Sequence, residues 1–459
     1  MSSRDFCRIV LGTSPWTTAA IVLAWGAIVA IGTLHHEMWR DELYPWLIAV
    51  DSHSLGALFH NLRREGHPAL WYLLLYALSR FSHDPLYMQW LHFVIAWASV
   101  FVLARFAPFP PLVTALTAFS YFFLYEYAMI ARHYGLMALG LLLTVLAMCR
   151  ERRNPVIVGA CLVLCVNTTV YGAIIGIALY LALCLEDVVS GTWGVTRRVN
   201  ATSLGFHLLF LTGLLVSVLA MRPEGTGSLQ ELWRFDWDSR RVYAAVLGLW
   251  EAYVPIPGHL GRLFWNSSVL REWMTTTTGA MCLTAVTLAM VAVFARCFAK
   301  VPAALLGYLL TIVGVVLFNY LLYGPYLRHK GILFLSLVAS TWIWITYLRR
   351  NTDLYGSSAL CQRIVMAGLS LVLAAQIVTS AVAYSADIRY EFSSASQAAR
   401  FIRDTFKGDV IVAGTQDFIV SSISAFLDRD LYYLDGEYFG RQMQWDKLKH
   451  EVSTQGELA

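Results

Sequence analysis

GHPALWYLLLYALSRF, residues 66–81, is the stretch on which the topology turns. Its apolar part, Pro68–Leu78, is only about 11–14 residues long, whereas a membrane-crossing helix needs about 20. That length favours an interfacial or re-entrant helix over a span. The choice matters because every later segment changes side with it.

The rest of the chain supplies the test. It has 459 residues, of which 58% are hydrophobic and 14% charged. A soluble domain carries about 25% charged residues, so this composition indicates a polytopic membrane protein. Apolar runs lie near 17–34, 86–104, 109–127, 133–149, 155–168, 170–186, 201–221, 274–295, 302–323, 331–348 and 362–384. Basic residues concentrate on the cytoplasmic side of membrane proteins. With the N-terminus (Arg4, Arg8) inside and 66–81 left uncounted, Arg105, Arg150, Arg152, Arg153, Arg197, Arg198, Arg296, Lys300, Arg349 and Arg350 all fall inside. Counting 66–81 as a span flips every later cluster outside. The expected fold is therefore an α-helical polytopic membrane protein with about 11 transmembrane helices, N-terminus in and C-terminus out. The net charge of +4 is small and does not point to nucleic acid. The eight cysteines form no CxxC pair and read as apolar packing residues.

This parity places residues 35–85, 222–272, 323–330 and the tail on one outer face. In 35–85, Leu43, Trp46, Leu47 and Val50, then Leu55, Leu58, Phe59 and Leu62, recur at helical spacing, as in helices lying on the interface. Pro68 is expected to open the short apolar helix from its first turn. Segment 222–272 is rich in Trp and Arg, which suits interfacial helices or an aromatic belt. The division expected is a membrane domain over 1–385 and a small soluble α/β module over 386–459. In the module GDVIVAG (408–414) and LYYLDG (431–436) read as strands flanking a helix that starts near Asp417.

The outer face also collects the polar residues. HHEMWRDELYPW, residues 35–46, has adjacent carboxylates Asp41 and Glu42, with His36 and Glu37 just before them. A carboxylate at a partly desolvated surface serves as a general base or holds a divalent cation. Taken alone, these residues are equally well read as solvated charges at a helix end. EYAMIARHYGL adds Glu126, Arg132, His133 and Tyr134 at the same depth; YGPYLRHKGIL adds Arg328, His329 and Lys330. Snorkelling is the plain reading of a cation at a helix end. These cations, however, run against the basic-inside pattern, and Arg in particular suits phosphate. Carboxylates and cations beside a membrane surface suit a lipid-linked phosphate donor, its tail among the spans and its phosphate on Arg or Lys.

Three motifs in order carry a family resemblance: Asp41-Glu42 after the first span, His67-Pro68 with Leu70, Trp71 and Tyr72, and Ala131-Arg132 with Tyr134 and Leu136. Tyr326 and Arg328 add a fourth point. Together they resemble the GT-C membrane glycosyltransferases, nearest the bacterial members related to protein mannosyltransferases and lipid A aminoarabinose transferases. The resemblance implies a GT-C fold, a polyprenyl-phosphate sugar donor and inverting transfer to a lipid, glycan or protein acceptor on the periplasmic face of the inner membrane. It implies Asp41 as the catalytic carboxylate, with Glu42 assisting. Arg132, Arg328, His329 and Lys330 are the candidates for the donor phosphate. His36, Glu37, Glu126, His67, His133 and Tyr134 are candidates for substrate or metal contact. Members differ in metal dependence, so the cofactor is left open between none and a divalent cation such as Mg or Mn. The chain departs from the family at Ile130, where a Glu is usual, and at Ala69, where a second Pro is usual. The competing readings are a secondary transporter and another transferase acting on a lipid-linked substrate. A transporter would carry ionisable residues near mid-span, where this chain is nearly free of them.

Overall fold

The computed structural model describes residues 13–190, 201–222, 233–322, 326–408 and 410–444. Arg4, Arg8, Cys7, Arg197 and Arg198 lie outside these residues, as do 223–232 of the second outer segment and 323–325 of the third. In chain order the main helices are α1 (Pro15–His35), α2 (Arg40–Asp51), α3 (Leu55–Asn61), α4 (Leu70–Ser79), α5 (Leu86–Phe106), α6 (Pro111–Ala118), α7 (His133–Met148), α8 (Pro155–Val166) and α9 (Val170–Ser190). There follow α10 (Ala201–Met221), α11 (Ser239–Tyr253), α12 (Thr277–Phe298), α13 (Pro302–Leu321), α14 (Leu327–Arg350), α15 (Ala359–Arg389), α16 (Ala395–Thr405) and α17 (Asp417–Leu427).

Among the described residues, eight helices are long and apolar enough to cross a membrane: α1, α5, α9, α10, α12, α13, α14 and α15. The other three apolar runs form shorter or broken helices. Run 133–149 gives the 16 residues of α7 and run 155–168 the 12 of α8. Run 109–127 stops as an α-helix at Ala118 and resumes as a single π-helical turn over Phe122–Glu126. π-turns of this kind concentrate at functional sites.

The decisive stretch forms α4, a helix of 10 residues, too short to span. Pro68 is not in its first turn: Ala69 is the N-cap and Leu70 the first helical residue. Trp71, Tyr72 and Leu75 are its buried side, packed on α2 and α3 through Trp46, Leu47, Ile48 and Leu58. Residues 35–85 are thus folded through shared apolar clusters, one of which continues to Met88, Ile95, Leu136 and Ala425, as the helical spacing of their apolar residues requires.

The helix ends follow from local chemistry. Ser14 Oγ accepts the Thr17 N–H at 3.1 Å and Pro15 occupies the first helical position, which starts α1. His36 turns extended and ends it. Trp39 then caps α2, whose first turn carries Asp41 and Glu42 where the helix dipole favours anions. Pro45 lies inside α2 and has no N–H to give the Asp41 carbonyl.

α14 is the central helix of the bundle: 89% of its apolar window is buried, against 22% for α10. Its 24 residues span about 36 Å. Arg328 stands at one end and Arg350 at the other. The far end carries a separate group in which Arg153 pairs with Glu186 at 3.2 Å and Tyr347 donates to the same carboxylate.

The tail has a three-stranded sheet in the order β1 (Ala413–Gly414), β2 (Leu431–Tyr433) and β3 (Tyr438–Gly440). β1 and β2 are parallel and β2 and β3 antiparallel. The first strand is shorter than the stretch 408–414 suggested, and β3 had no strand signal strong enough to be anticipated. α17 returns over the sheet and contacts α2 and α16, which sets the module beside the first outer segment.

Candidate functional site

Asp41, Arg132 and Arg328 meet at one point. Arg132 Nη1 and Arg328 Nη2 each lie 3.0 Å from Asp41 Oδ2. Arg40 Nε lies 3.5 Å from the other oxygen. Asp41 keeps 24% of its side chain accessible, while the two opposing guanidiniums keep 11% each. The site is therefore a carboxylate open to solvent on one side, backed by two largely desolvated cations.

Each partner is held by its own element. Arg132 is the extended residue between the π-turn region and α7. Gly135 in the next turn lies against the Tyr127 carbonyl and His92, where a Cβ would collide with backbone. Arg328 is in the first turn of α14. Its backbone carbonyl accepts from Tyr127 Oη at 2.7 Å, and Gly331 leaves room for that ring. The Arg328 guanidinium lies over Tyr326, Trp39 and Trp265, with ring centroids 4.9, 5.7 and 5.8 Å away. Such faces attract a cation and hold it flat. Two of these rings, Trp39 and Trp265, meet edge to face at 4.9 Å.

Glu42 takes the opposite direction from Asp41. It is fully buried. Oε1 accepts the Ala131 N–H at 2.6 Å; Oε2 accepts the Trp39 N–H at 3.1 Å and faces His36 Nε2 at 3.0 Å. His36 Nδ1 in turn lies 2.8 Å from Asp387 Oδ2, near the end of α15. Burial alone would lower the His36 pKa, but the two carboxylates raise it well above its usual value. As an imidazolium it donates to both. This chain of contacts ties the end of α1, the start of α2, the backbone beside Arg132 and the last long helix into one unit.

The remaining candidates divide. His67 and His133 stack at 4.7 Å next to the arginines. Burial, then Arg132 and Arg328, lower the His67 pKa to about 3, so the ring is neutral. Its Nδ1 and both nitrogens of His133 are buried without a hydrogen-bond partner among the described residues. Tyr134 packs on His133 and Tyr127. His329 stacks on Tyr171 at 5.4 Å, and its Nε2 lies 3.3 Å from Arg328 Nε. Lys330 points away and forms an ion pair with Glu251 of α11. Glu126 accepts from Tyr121 Oη and from Trp265 Nε1, the latter at 3.0 Å. Glu37 faces Arg400 of α16 at 3.6 Å.

Sequence reasoning passed over four residues that complete this neighbourhood: Trp39, Trp265, Glu251 and Asp387. Asp387 sits just past the last apolar run, in SADIRY, and that break in hydropathy was its one visible signal. As for a divalent cation, no group of three or more His, Cys, Asp or Glu among the described residues is arranged to hold one. Asp41 and Glu42 face different partners and do not form a joint ligand pair.

No family model matches the chain, and no curated protein matches it. Among solved structures it is similar to ArnT from Cupriavidus metallidurans, crystallised with bound undecaprenyl phosphate. The two are 12% identical with a TM-score of 0.47, over 90% of this chain and 86% of that one. At that identity and score the likeness is distant, and the functional reading rests on the residues described above.

Proposed function

We propose that the chain is a membrane glycosyltransferase of the GT-C type that takes its sugar from a polyprenyl-phosphate donor. The observation that carries this reading is the single Asp41 oxygen shared by Arg132 and Arg328 at the end of the central membrane helix. Two desolvated guanidiniums facing one open carboxylate are suited to an anion that arrives from the membrane, and Arg binds phosphate through paired charge-assisted hydrogen bonds.

In this reading the donor phosphate takes the two arginines over from Asp41. Asp41 Oδ2 is then free to accept the proton of the acceptor hydroxyl. The acceptor oxygen forms a bond to the anomeric carbon, and the bond from that carbon to the phosphate oxygen breaks. The phosphate leaves with the electron pair, and Arg132 and Arg328 stabilise its charge. A single displacement of this kind inverts the anomeric centre. Glu42 positions Arg132 through the Ala131 amide rather than touching substrate. Neutral His67 and His133 line the same corner as hydrogen-bonding groups for the sugar or its phosphate. Lys330 acts at one remove, through Glu251. The basic clusters at the opposite ends of the helices support a periplasmic site, a cytoplasmic N-terminus and an inner-membrane location. The acceptor belongs to the lipids, glycans or proteins reachable from that face.

The test is a transfer assay on purified protein in lipid, with radiolabelled polyprenyl-phosphate sugars and envelope extract as acceptor. Label transfer that vanishes in Asp41→Asn is the expected result. Competent donors and acceptors left untouched by wild type would overturn the reading.

A further inference from the structure

A cavity of about 770 Å³ lies on the other side of the link between α1 and α2. His36 and Glu37 form part of its wall; Asp41, Arg132 and Arg328 do not line it. It separates the membrane domain, represented by the end of α1 and the start of α5, from the tail module, represented by α16 and the end of α17.

Its chemistry has two halves. Arg400 and Arg403 stand three residues apart on α16 and so share a face. Arg403 Nη2 donates to the Phe426 carbonyl at 2.8 Å, and its other N–H groups are available to an anion. The acids in the lining have partners of their own, apart from one oxygen of Glu37. Glu37 Oε1 faces Arg400 at 3.6 Å, while its Oε2 is buried with no hydrogen-bond partner among the described residues. Asp428 accepts from Arg441 at 2.6 Å and faces His83 at 3.1 Å. Asp84 caps the Leu86 N–H at 2.9 Å. The other half is apolar and open: Leu34, Leu86 and Trp90 are lining residues that are 69%, 48% and 39% exposed. They continue a stripe of exposed apolar side chains along the same two membrane helices, with Leu23 and Ile31 on α1 and Val94 and Trp97 on α5. On helices that cross a membrane such a stripe faces hydrocarbon, and Trp marks the headgroup level. A pocket with arginines above and a lipid-facing stripe below fits an amphiphile with an anionic head.

We propose that this cavity holds the phosphate headgroup of a membrane lipid that is retained rather than transferred. Arg400 and Arg403 contact the phosphate, and the acyl chains run down the exposed faces of α1 and α5. The bound lipid then joins the tail module to the membrane domain, since one wall belongs to each.

The same phosphate chemistry could come from a lipid or from a free anion, so the experiment separates them. The full chain is purified into nanodiscs of phosphatidylcholine doped with phosphatidic acid or phosphatidylglycerol. Lipid retained by the protein after transfer to detergent is measured by native mass spectrometry. Retention of an anionic lipid by wild type is expected, with a loss of roughly tenfold or more in Arg400→Gln/Arg403→Gln, the scale of a lost charged hydrogen bond. Ser396→Trp, which fills the cavity from a half-buried lining position, is expected to lose lipid equally while leaving both arginines in place. Unchanged retention in both variants overturns the proposal. Displacement of the lipid by millimolar inorganic phosphate also overturns it, in favour of a soluble-anion site. No sugar donor enters the measurement, so its failure is distinct from failure of the transferase reading.

Discussion

Arg328 Nη2 lies 3.0 Å from Asp41 Oδ2, joining the first turn of the central helix α14 to the first turn of the short helix α2. Arg132 meets the same oxygen at the same distance. The rigidity of this arrangement comes from α14, which is buried nearly all round, and from the aromatic rings around Arg328. The accessible edge of Asp41 is the part that the proposed transfer would use.

Replacing Asp41 by Asn keeps the size of the side chain and removes its charge and the proton-accepting role proposed for it. Transfer is expected to fall by about 10²–10⁴-fold, the range for loss of a general base. The protein should still fold, because Asp41 is partly open and not part of the core. Initial rates of donor consumption, with thermal unfolding measured alongside, check both halves. A fully active, well-folded variant would remove Asp41 from the mechanism.

Arg328→Ala removes one of the two proposed phosphate contacts and the cation enclosed by Trp39, Trp265 and Tyr326. The donor concentration for half-maximal rate should rise by roughly 10–100-fold, corresponding to about 1.5–3 kcal/mol for a hydrogen bond to a charged group. Arg328→Lys should recover only part of this, because Lys offers a point charge and no planar fork. Donor dependence identical to wild type in both variants would assign Arg328 to packing alone.

Glu42 is a different case from its neighbour. Glu42→Ala leaves the Ala131 and Trp39 amides without their buried acceptor and the His36 imidazolium with one carboxylate instead of two, a type of loss that costs about 3–5 kcal/mol. Glu42→Gln keeps an acceptor and should cost less. Because His36 joins Glu42 to Asp387, Glu42→Gln and Asp387→Asn should be non-additive in a double-mutant cycle, by about 0.5–3 kcal/mol. His36 has a raised pKa, so its contribution is complete below pH 6.5 and is lost as pH rises through its folded-state value. His36→Gln should therefore flatten the alkaline side of the stability profile; an unaltered profile would show that this network does not hold the fold.

Asp51, at the end of α2, faces the tail module. Burial, with Asp430 and Asp428 nearby, raises its pKa to about 6 against the opposing pull of Arg441 and His83. A raised carboxyl pKa stabilises the docked state most below pH 3.8, and that contribution is lost as pH rises through about 6. Hydrogen exchange at residues 413–440 should accelerate across this window in wild type and change less in Asp51→Asn. Equal pH dependence in the two proteins would place the control elsewhere.

Local pattern was enough for the membrane class, for eight of the eleven long helical runs, for the short helix within 66–81 and for grouping Asp41, Arg132 and Arg328 as candidates for one site. These follow from local quantities: length of apolar run, charge sidedness and turn chemistry. Tertiary structure alone decided which neighbours in sequence become neighbours in space. Successive residues on a helix point about 100° apart, so Asp41 turns to the arginines while Glu42 turns into the core. Two residues from Arg328, Lys330 faces nearly the opposite way and finds Glu251. Asp387 reaches His36 only because α15 packs back against α1, and Trp265 reaches Arg328 from a loop with no regular period to read. Hydropathy assigns a depth to each residue; the direction of its side chain depends on helix rotation and packing, which no local pattern records.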